Sequence, residues 1–285
     1  MELVKTIDEM KKISERVHSE GKTLGLVPTM GFLHEGHLSL IRRAVALCDC
    51  TAISVFVNPK QFVSGEDLDK YPADFERDRD MARDAGVDFF FFPGVRDMYP
   101  EGFQTEVHLP GMSKRMCGLS RPTHFQGVAT VVLKLFNIVR PDVAVFGQKD
   151  AQQSVVIKRM VRDLDLDVKI DIMPIVREPD GLAMSSRNTY LGPEERASAL
   201  SLCRSLEKAR AAVEQGQRFT ENILDIISHV LAEEQKVQTE YIVICDAGTL
   251  EELDALHGRV LIALAARVGK TRLIDNVIIT AGNDK

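Results

Sequence analysis

Three short stretches of this chain combine residues able to grip and neutralise a polyphosphate. The first is His34-Glu35-Gly36-His37. Two imidazoles three residues apart at the mouth of a helix can face one point, where the free N–H groups and the positive end of the helix already favour an anion. Gly36 removes a side chain and leaves a phosphate room to approach the backbone. The second is Gly147-Gln148-Lys149-Asp150, in which a glycine leaves space and a lysine carries positive charge. Asp150 can cap the next helix or accept from a ribose hydroxyl, and Gln153 lies on that helix's first turn. The third is Met184-Ser185-Ser186-Arg187, a loop whose arginine and two hydroxyls suit phosphate clamping. Taken singly, each has an ordinary reading: a surface loop, a glycine turn with a helix cap, a solvated linker. No G-x-G-x-x-G or Walker A loop is present, so dinucleotide and P-loop readings lose support.

These stretches need a scaffold, and the hydrophobic pattern predicts one. Thr6 with Glu9 three residues on forms a capping box, and Ile7, Met10, Ile13 and Val17 then recur at helical spacing until Gly21. Apolar strands are expected at 24–27, 52–57, 89–92 and 143–146, and a strand or strand pair at 168–175, with helices at 37–48, 74–85, 128–139 and 150–164. Strands alternating with helices of this length give a parallel sheet with right-handed crossovers. Residues 1–176 therefore read as a Rossmann-like, doubly wound α/β domain, with an irregular, basic segment at 111–127. Beyond Pro193 two helices (193–215 and 220–235) precede three strands (241–245, 260–267 and 273–279), the order of an α+β unit. Residues 177–285 read as a smaller C-terminal domain with Met184–Arg187 near its start. Open parallel sheets take ligands beyond the carboxyl ends of their strands, and the three polar stretches sit at such ends.

Composition bounds the rest. At 285 residues the chain suits about two domains and buries a core without staples. Lys and Arg number 36 against 42 Asp and Glu, a formal charge of −6, which disfavours nucleic acid and anionic membranes as partners. No apolar run approaches the ~20 residues that span a bilayer, and the first residues lack an apolar signal core. Five cysteines without a CxxC pair fit a reducing cytoplasm, with Cys48 and Cys50 as structural thiols.

An early HxGH and a late MSSR together resemble the HIGH and KMSKS pair of the nucleotidyltransferases and class I aminoacyl-tRNA synthetases. Here Ala183 stands in place of the first Lys, and Ser186-Arg187 in place of Lys-Ser, which leaves more cation duty to Lys149. Longer stretches narrow the likeness: 27–37, Val57-Asn58-Pro59-Lys60-Gln61-Phe62, Tyr71-Pro72, 125–142, 146–153 and Arg177-Glu178-Pro179-Asp180-Gly181-Leu182 running into Arg187. They are similar to the pantoate–β-alanine ligase family, densely over about 20–195.

That resemblance implies a two-step ligase: pantoate attacks the α-phosphorus of Mg-ATP, and β-alanine then displaces AMP from the acyl adenylate. It implies an ATP site lined by Met30, Gly31, Phe32, Leu33, His34, Glu35, Gly36 and His37, completed by Gly147, Gln148, Lys149 and Asp150 and by Met184, Ser185, Ser186 and Arg187, with the Val176 backbone near adenine. His34, His37, Lys149 and Arg187 are the expected catalytic groups, His37 being the family's proton donor. Gln61 and Gln153 would hold pantoate, Gln61 also touching β-alanine. Met30, Val131 and Val132 would wall its methyls or simply pack the core, and Arg121 matches a family arginine near the phosphates or is an ordinary surface arginine. For Mg²⁺, Asp74 and Asp78 would reach the ion through water or form a solvated helix face, so the metal ligand stays unassigned. A cytoplasmic homodimer is expected. Two other readings stay open: a nucleotidyltransferase activating another small acid or a phosphorylated alcohol, and a tRNA-binding fragment or non-catalytic relative of a synthetase.

Overall fold

In the computed structural model, which describes residues 1–63, 66 and 68–282, the chain opens with strand β1 (Glu2–Val4) and helix α1 (Ile7–Ser19). The predicted capping box starts α1: the Glu9 N–H donates to the Thr6 hydroxyl at 3.2 Å, and the Thr6 N–H to the Glu9 carboxylate at 3.1 Å. There follow β2 (Leu24–Thr29), α2 (Glu35–Leu47), β3 (Cys50–Val55), α3 (Phe75–Asp84), β4 (Phe89–Phe91), the single turns α4 (Val95–Met98) and α5 (Cys117–Ser120), α6 (His124–Val139), β5 (Val143–Gly147), α7 (Ala151–Asp163) and β6 (Lys169–Met173). The last elements are α8 (Pro193–Glu214), α9 (Thr220–Ala232), β7 (Val237–Asp246), β8 (Gly258–Val268) and β9 (Thr271–Ala281). They form two units. The first comprises Met1–Lys114, Gly118–Gly147 and Val156–Pro174; the second comprises Arg115–Cys117, Gln148–Val155 and Ile175–Lys285.

The first unit is built on a six-stranded sheet in the order β1-β4-β3-β2-β5-β6, parallel throughout, as expected of a doubly wound α/β fold. Its strands are short apolar runs because both faces are covered. Leu24, Leu26 and Ala52 pack on one side with α1 and α6, and Val27, Ile53 and Phe90 on the other with α2 and α3. The edge strand β1 is not among the expected elements. With three residues and only Leu3-Val4 apolar, it carries no period to read; pairing with β4, not propensity, makes it a strand. Helix α2 begins at Glu35 rather than His37, which puts His37 inside its first turn. Helix α6 likewise begins at His124, inside the segment expected to be irregular.

The second unit carries an antiparallel sheet, β7-β8-β9. Alternation along β8 sends Val260, Ile262, Leu264 and Ala266 toward Leu202, Leu206 of α8 and Ile223, Ile227 of α9. Leu261 and Ala263 face a smaller cluster with Met116, Ala151 and Cys245. Burial on both faces explains why this segment reads as one continuous apolar run. Among the described residues no helix is long and apolar enough to cross a membrane.

Candidate active site

The winding of the first sheet marks a place for a ligand. From β2 the chain moves outward through β3 to β4, and later returns on the other side of β2 as β5. The reversal falls between β2 and β5, and an open parallel sheet receives ligands beyond the carboxyl ends of such a pair. Met30–His34 leave β2 there, β5 ends there on Gly147, and Asn58–Gln61 leave the neighbouring β3. A Cβ built on Gly147 meets nothing within 4 Å.

The turn after β2 is held from α3. Gly31 and Phe32 both have positive φ, 87° and 51°, which aims successive N–H groups the same way. The Asp78 carboxylate, only 1% exposed, accepts from the Phe32 N–H at 2.6 Å and the Leu33 N–H at 2.7 Å. Burial raises its pKa and these two donors pull against it, leaving it above the ordinary value. The Arg77 guanidinium lies 5.2 Å from the Phe32 ring. Asp74 caps α3 by accepting from the Arg77 N–H at 3.2 Å. Both acids considered for Mg²⁺ therefore hold backbone donors, and among the described residues no group of three His, Cys, Asp or Glu is placed to hold a metal.

His34 is the N-cap of α2 in extended conformation, φ −144° and ψ 175°. Its N–H donates to His37 Nδ1 at 3.4 Å, which puts the proton of a neutral His37 ring on Nε2. The two rings lie 4.1 Å apart, tilted by 34°. A Cβ on Gly36 would come within 2.9 Å of the His34 ring, so a glycine here lets that imidazole pack against the start of α2. Leu33 is fully buried in the core, and Glu35 pairs with Arg42 at the surface; their side chains serve packing and solvation.

Gln61 sits in the short 3-10 turn Pro59–Gln61, capped by Asn58, whose Oδ1 accepts from the Lys60 N–H. Asn58 Nδ2 donates to the Gly127 carbonyl and to Gln61 Oε1, each at 3.1 Å. Two backbone groups thus fix which way the Asn58 amide points. With its oxygen engaged, Gln61 turns Nε2 toward Met30, donating to its sulfur at 2.9 Å. The Tyr99 hydroxyl adds a bond to Asn58 Oδ1 at 2.8 Å, and burial pushes its pKa up, so it stays a donor. The Gln61 carbonyl receives Arg121 at 3.3 Å and contacts His124 Nδ1 at 2.8 Å. Arg121 is also bidentate to Glu66. Burial raises the Glu66 carboxyl, but Arg121 outweighs it and leaves the pKa below 4.5. Val131 and Val132, 6% and 4% exposed, belong to the main core.

In the second unit, Asn276 of β9 meets the Gln148–Asp150 turn: Nδ2 donates to the carbonyls of Gln148 and Lys149 at 3.1 and 3.0 Å, and Oδ1 accepts from Gln148 Nε2 at 3.1 Å. Lys149 is half-buried, and its charge acts on the buried Asp275 carboxylate of β9. Gln153 is half-buried, whereas Gln152 is buried and pins 115–117 by bonds to Cys117 N–H and Arg115 carbonyl. Residues 176–184 fold back on themselves, with the Met184 N–H on the Val176 carbonyl at 3.0 Å and the Glu178 N–H on the Leu182 carbonyl at 2.8 Å. Ser185 then caps the 3-10 turn Ser186–Tyr190, accepting from the Arg187 N–H at 3.3 Å. Asn188 ties this turn to Glu178 and Ala183.

Asp78, Tyr99, Asn276 and the Arg177–Asp275 pair escape a reading of the sequence as supports. Asn58 has a readable signal, since Asn-Pro at a strand end is a helix-capping dipeptide. The others act through contacts distant in sequence and leave no local mark.

Residues 2–278 match the family described as pantoate-beta-alanine ligase. The pantothenate synthetase of Caldicellulosiruptor bescii is 54% identical over 281 residues, 99% of this chain and all of that one. That of Thermotoga petrophila is 53% identical over 98% of this chain and all of its own. Among solved structures, pantothenate synthetase from Thermus thermophilus aligns with a TM-score of 0.93 at 45% identity, over 97% of this chain and 99% of that one. The pantoate-beta-alanine ligase of Francisella tularensis, complexed with beta-gamma ATP and β-alanine, aligns with a TM-score of 0.80 at 32% identity, over 98% and 97%. A winding reversal flanked by the HxGH segment and Gly147, in a chain that matches these proteins along nearly its whole length, fits one of the three readings: the chain belongs to the pantoate–β-alanine ligase family.

Proposed function

We propose that the chain carries out the family's ATP-dependent condensation of pantoate with β-alanine through a pantoyl adenylate, with His34, His37, Lys149 and Arg187 countering phosphate charge. A carboxylate oxygen of pantoate forms a bond to the α-phosphorus, and the bond to the bridging oxygen breaks, releasing pyrophosphate. The amine of β-alanine then attacks the acyl carbon, loses a proton, and AMP departs. The first step drives an anion onto a polyanion, so fixed donors aimed at the phosphates lower its barrier most. His37, whose Nδ1 accepts the His34 N–H, can donate from Nε2, and Lys149 brings a positive charge to the turn after β5. Gln61 presents an amide donor, which suits an acceptor oxygen of pantoate without pairing a permanent cation to the attacking carboxylate.

The observation that supports this reading is the placement of Met30–His34 and Gly147 at the carboxyl ends of two adjacent strands where the winding reverses. Mg²⁺ enters as part of the substrate, Mg-ATP, whose phosphate oxygens supply its ligands. Five free cysteines support a cytoplasmic location, and the family resemblance supports a homodimer, which the solution mass would settle.

The test is formation of AMP and pyrophosphate from ATP and pantoate, with and without β-alanine. Pyrophosphate should appear with pantoate alone as a single-turnover burst, and pantothenate only with the amine. Lys149→Ala should lose about 10²–10³ in adenylation turnover. Near-wild-type pyrophosphate release from that variant overturns the role given to Lys149.

A further inference from the structure

Asp275 and Asn276 are neighbours in the middle of β9, and both are buried, at 2% and 3% exposure. Successive residues of a strand point to opposite faces of the sheet. Asp275 falls in the row of Leu273 and Val277, which pack with α8 and α9, and Asn276 in the row of Ile278, on the side of Ala151 and Cys245. Two polar side chains at the centre of an apolar sheet are costly unless fully bonded. Here the bonds they make go to one of two functional turns or to each other.

On one face the Asp275 carboxylate grips Arg177, at 2.7 Å from Nη1 and 3.0 Å from Nη2, and Arg177 Nη1 also donates to the Gly181 carbonyl at 3.0 Å. Burial lowers the Arg177 pKa and the carboxylate more than restores it, so the guanidinium stays charged. That fixes the folded-back 176–184 segment from which Ser185–Arg187 emerge. On the other face Asn276 Nδ2 bridges the carbonyls of Gln148 and Lys149 and so fixes two successive peptide planes. The Asn276 N–H closes the pair by donating to Asp275 Oδ1 at 2.7 Å.

We infer that Asp275 and Asn276 are positioning residues for adenylation, one strand dipeptide setting the Lys149 turn on one face of the C-terminal sheet and the turn before Ser185–Arg187 on the other. The inference rests on the phosphate-facing role given above to Lys149. Adjacent Cα atoms are held about 3.8 Å apart, so the strand is a rigid spacer between the two turns. Neither residue needs to touch ATP. Their effect arises because charge stabilisation falls steeply when a donor is misplaced by about 1 Å.

The experiment uses the full chain with Asn276→Ala, Lys149→Ala and the double variant, read by single-turnover pyrophosphate release from ATP and pantoate without β-alanine. Asn276→Ala should slow adenylation about 30- to 100-fold, with KM for pantoate unchanged within about two-fold. In the Lys149→Ala background the same substitution should cost less than about three-fold, because its effect passes through the missing ammonium. If Asn276→Ala fails to fold, Asn276→Asp serves: it keeps the volume and the acceptor for Gln148 but turns an acceptor toward two carbonyls, and the same losses are expected. Adenylation by the Asn276 variant within about three-fold of wild type, or a loss that multiplies in full with Lys149→Ala, overturns the inference. Unimpaired Lys149→Ala would remove the underlying role of Lys149 and the inference with it. An impaired Lys149→Ala beside an unimpaired Asn276→Ala removes the inference alone.

Discussion

Replacing Asp78 by Asn removes the anchor of the turn that presents His34. The native carboxylate accepts two N–H bonds, at 2.6 and 2.7 Å, while 1% exposed. A hydrogen bond to a charged partner contributes about 1.5–3 kcal/mol, and a neutral one about 0.5–1.5. In Asp78→Asn one oxygen keeps one N–H as a neutral bond, and the new amide N–H faces the other donor, stranding it at about 1–3 kcal/mol. Relief of the buried charge offsets part of this. The ion pair to the half-exposed Arg77, at 3.8 Å, adds less than about 1 kcal/mol. The net expectation is about 2–4 kcal/mol of lost stability, read as a lower urea midpoint at unchanged slope. The turn also holds Phe32 at positive φ, so it relaxes once released and carries His34 with it. Adenylation should fall about 10²-fold, and raising Mg²⁺ should not restore it. An unchanged midpoint with retained activity would refute the anchor, and recovery at high Mg²⁺ would mean that Asp78 serves the metal.

Gly127→Ala places a Cβ 2.2 Å from the Lys60 carbonyl oxygen and 2.7 Å from the Gln61 nitrogen, both backbone. Helix α6 must then lift off the Gln61 turn, and melting should show a loss of about 1–3 kcal/mol or more, with a raised KM for pantoate. Tyr99→Phe leaves Asn58 Oδ1 with the Lys60 N–H alone, so KM for pantoate should rise about two- to ten-fold while KM for ATP stays put. That rise should vanish in a Gln61→Ala background; a persisting rise would show that Tyr99 does not act through the amide. The Glu66–Arg121 pair makes stability pH-dependent in a defined window. Because the folded Glu66 carboxyl lies below its ordinary 4.5, its contribution is complete above 4.5 and is lost as pH falls through the lower folded value. Glu66→Gln should flatten that part of the acid unfolding curve, and an unaltered curve would mean the pair adds nothing to stability.

The parallel sheet is legible because buried strands must be apolar runs separated by helices long enough to cross over. The same logic fails for β1, where three residues become a strand only because β4 offers an open edge. It also fails at 111–127, where α6 begins at His124 because the ring reaches the Gln61 carbonyl and Gly127 lets the backbone close on the Lys60 carbonyl. Gly36 reads in sequence as space for a phosphate, and the fold adds a second reason for a glycine there, since a Cβ would meet the His34 ring. Asp74 and Asp78 look alike on one helix, and only burial and the Phe32 and Leu33 N–H groups distinguish a cap from an anchor.

By itself the sequence determined which chemical groups are available and in what order along the strands, since residue type and periodicity are local properties. The HxGH, GQKD and MSSR stretches, the alternation of strand and helix, and the likeness to a ligase family all belong to that level. Tertiary structure alone decided which side chains hold those stretches still. The Asp78, Tyr99–Asn58, Arg177–Asp275 and Asn276 supports join residues tens of positions apart, and a hydrogen bond across such a span depends on how the chain returns through space. No local pattern encodes that return.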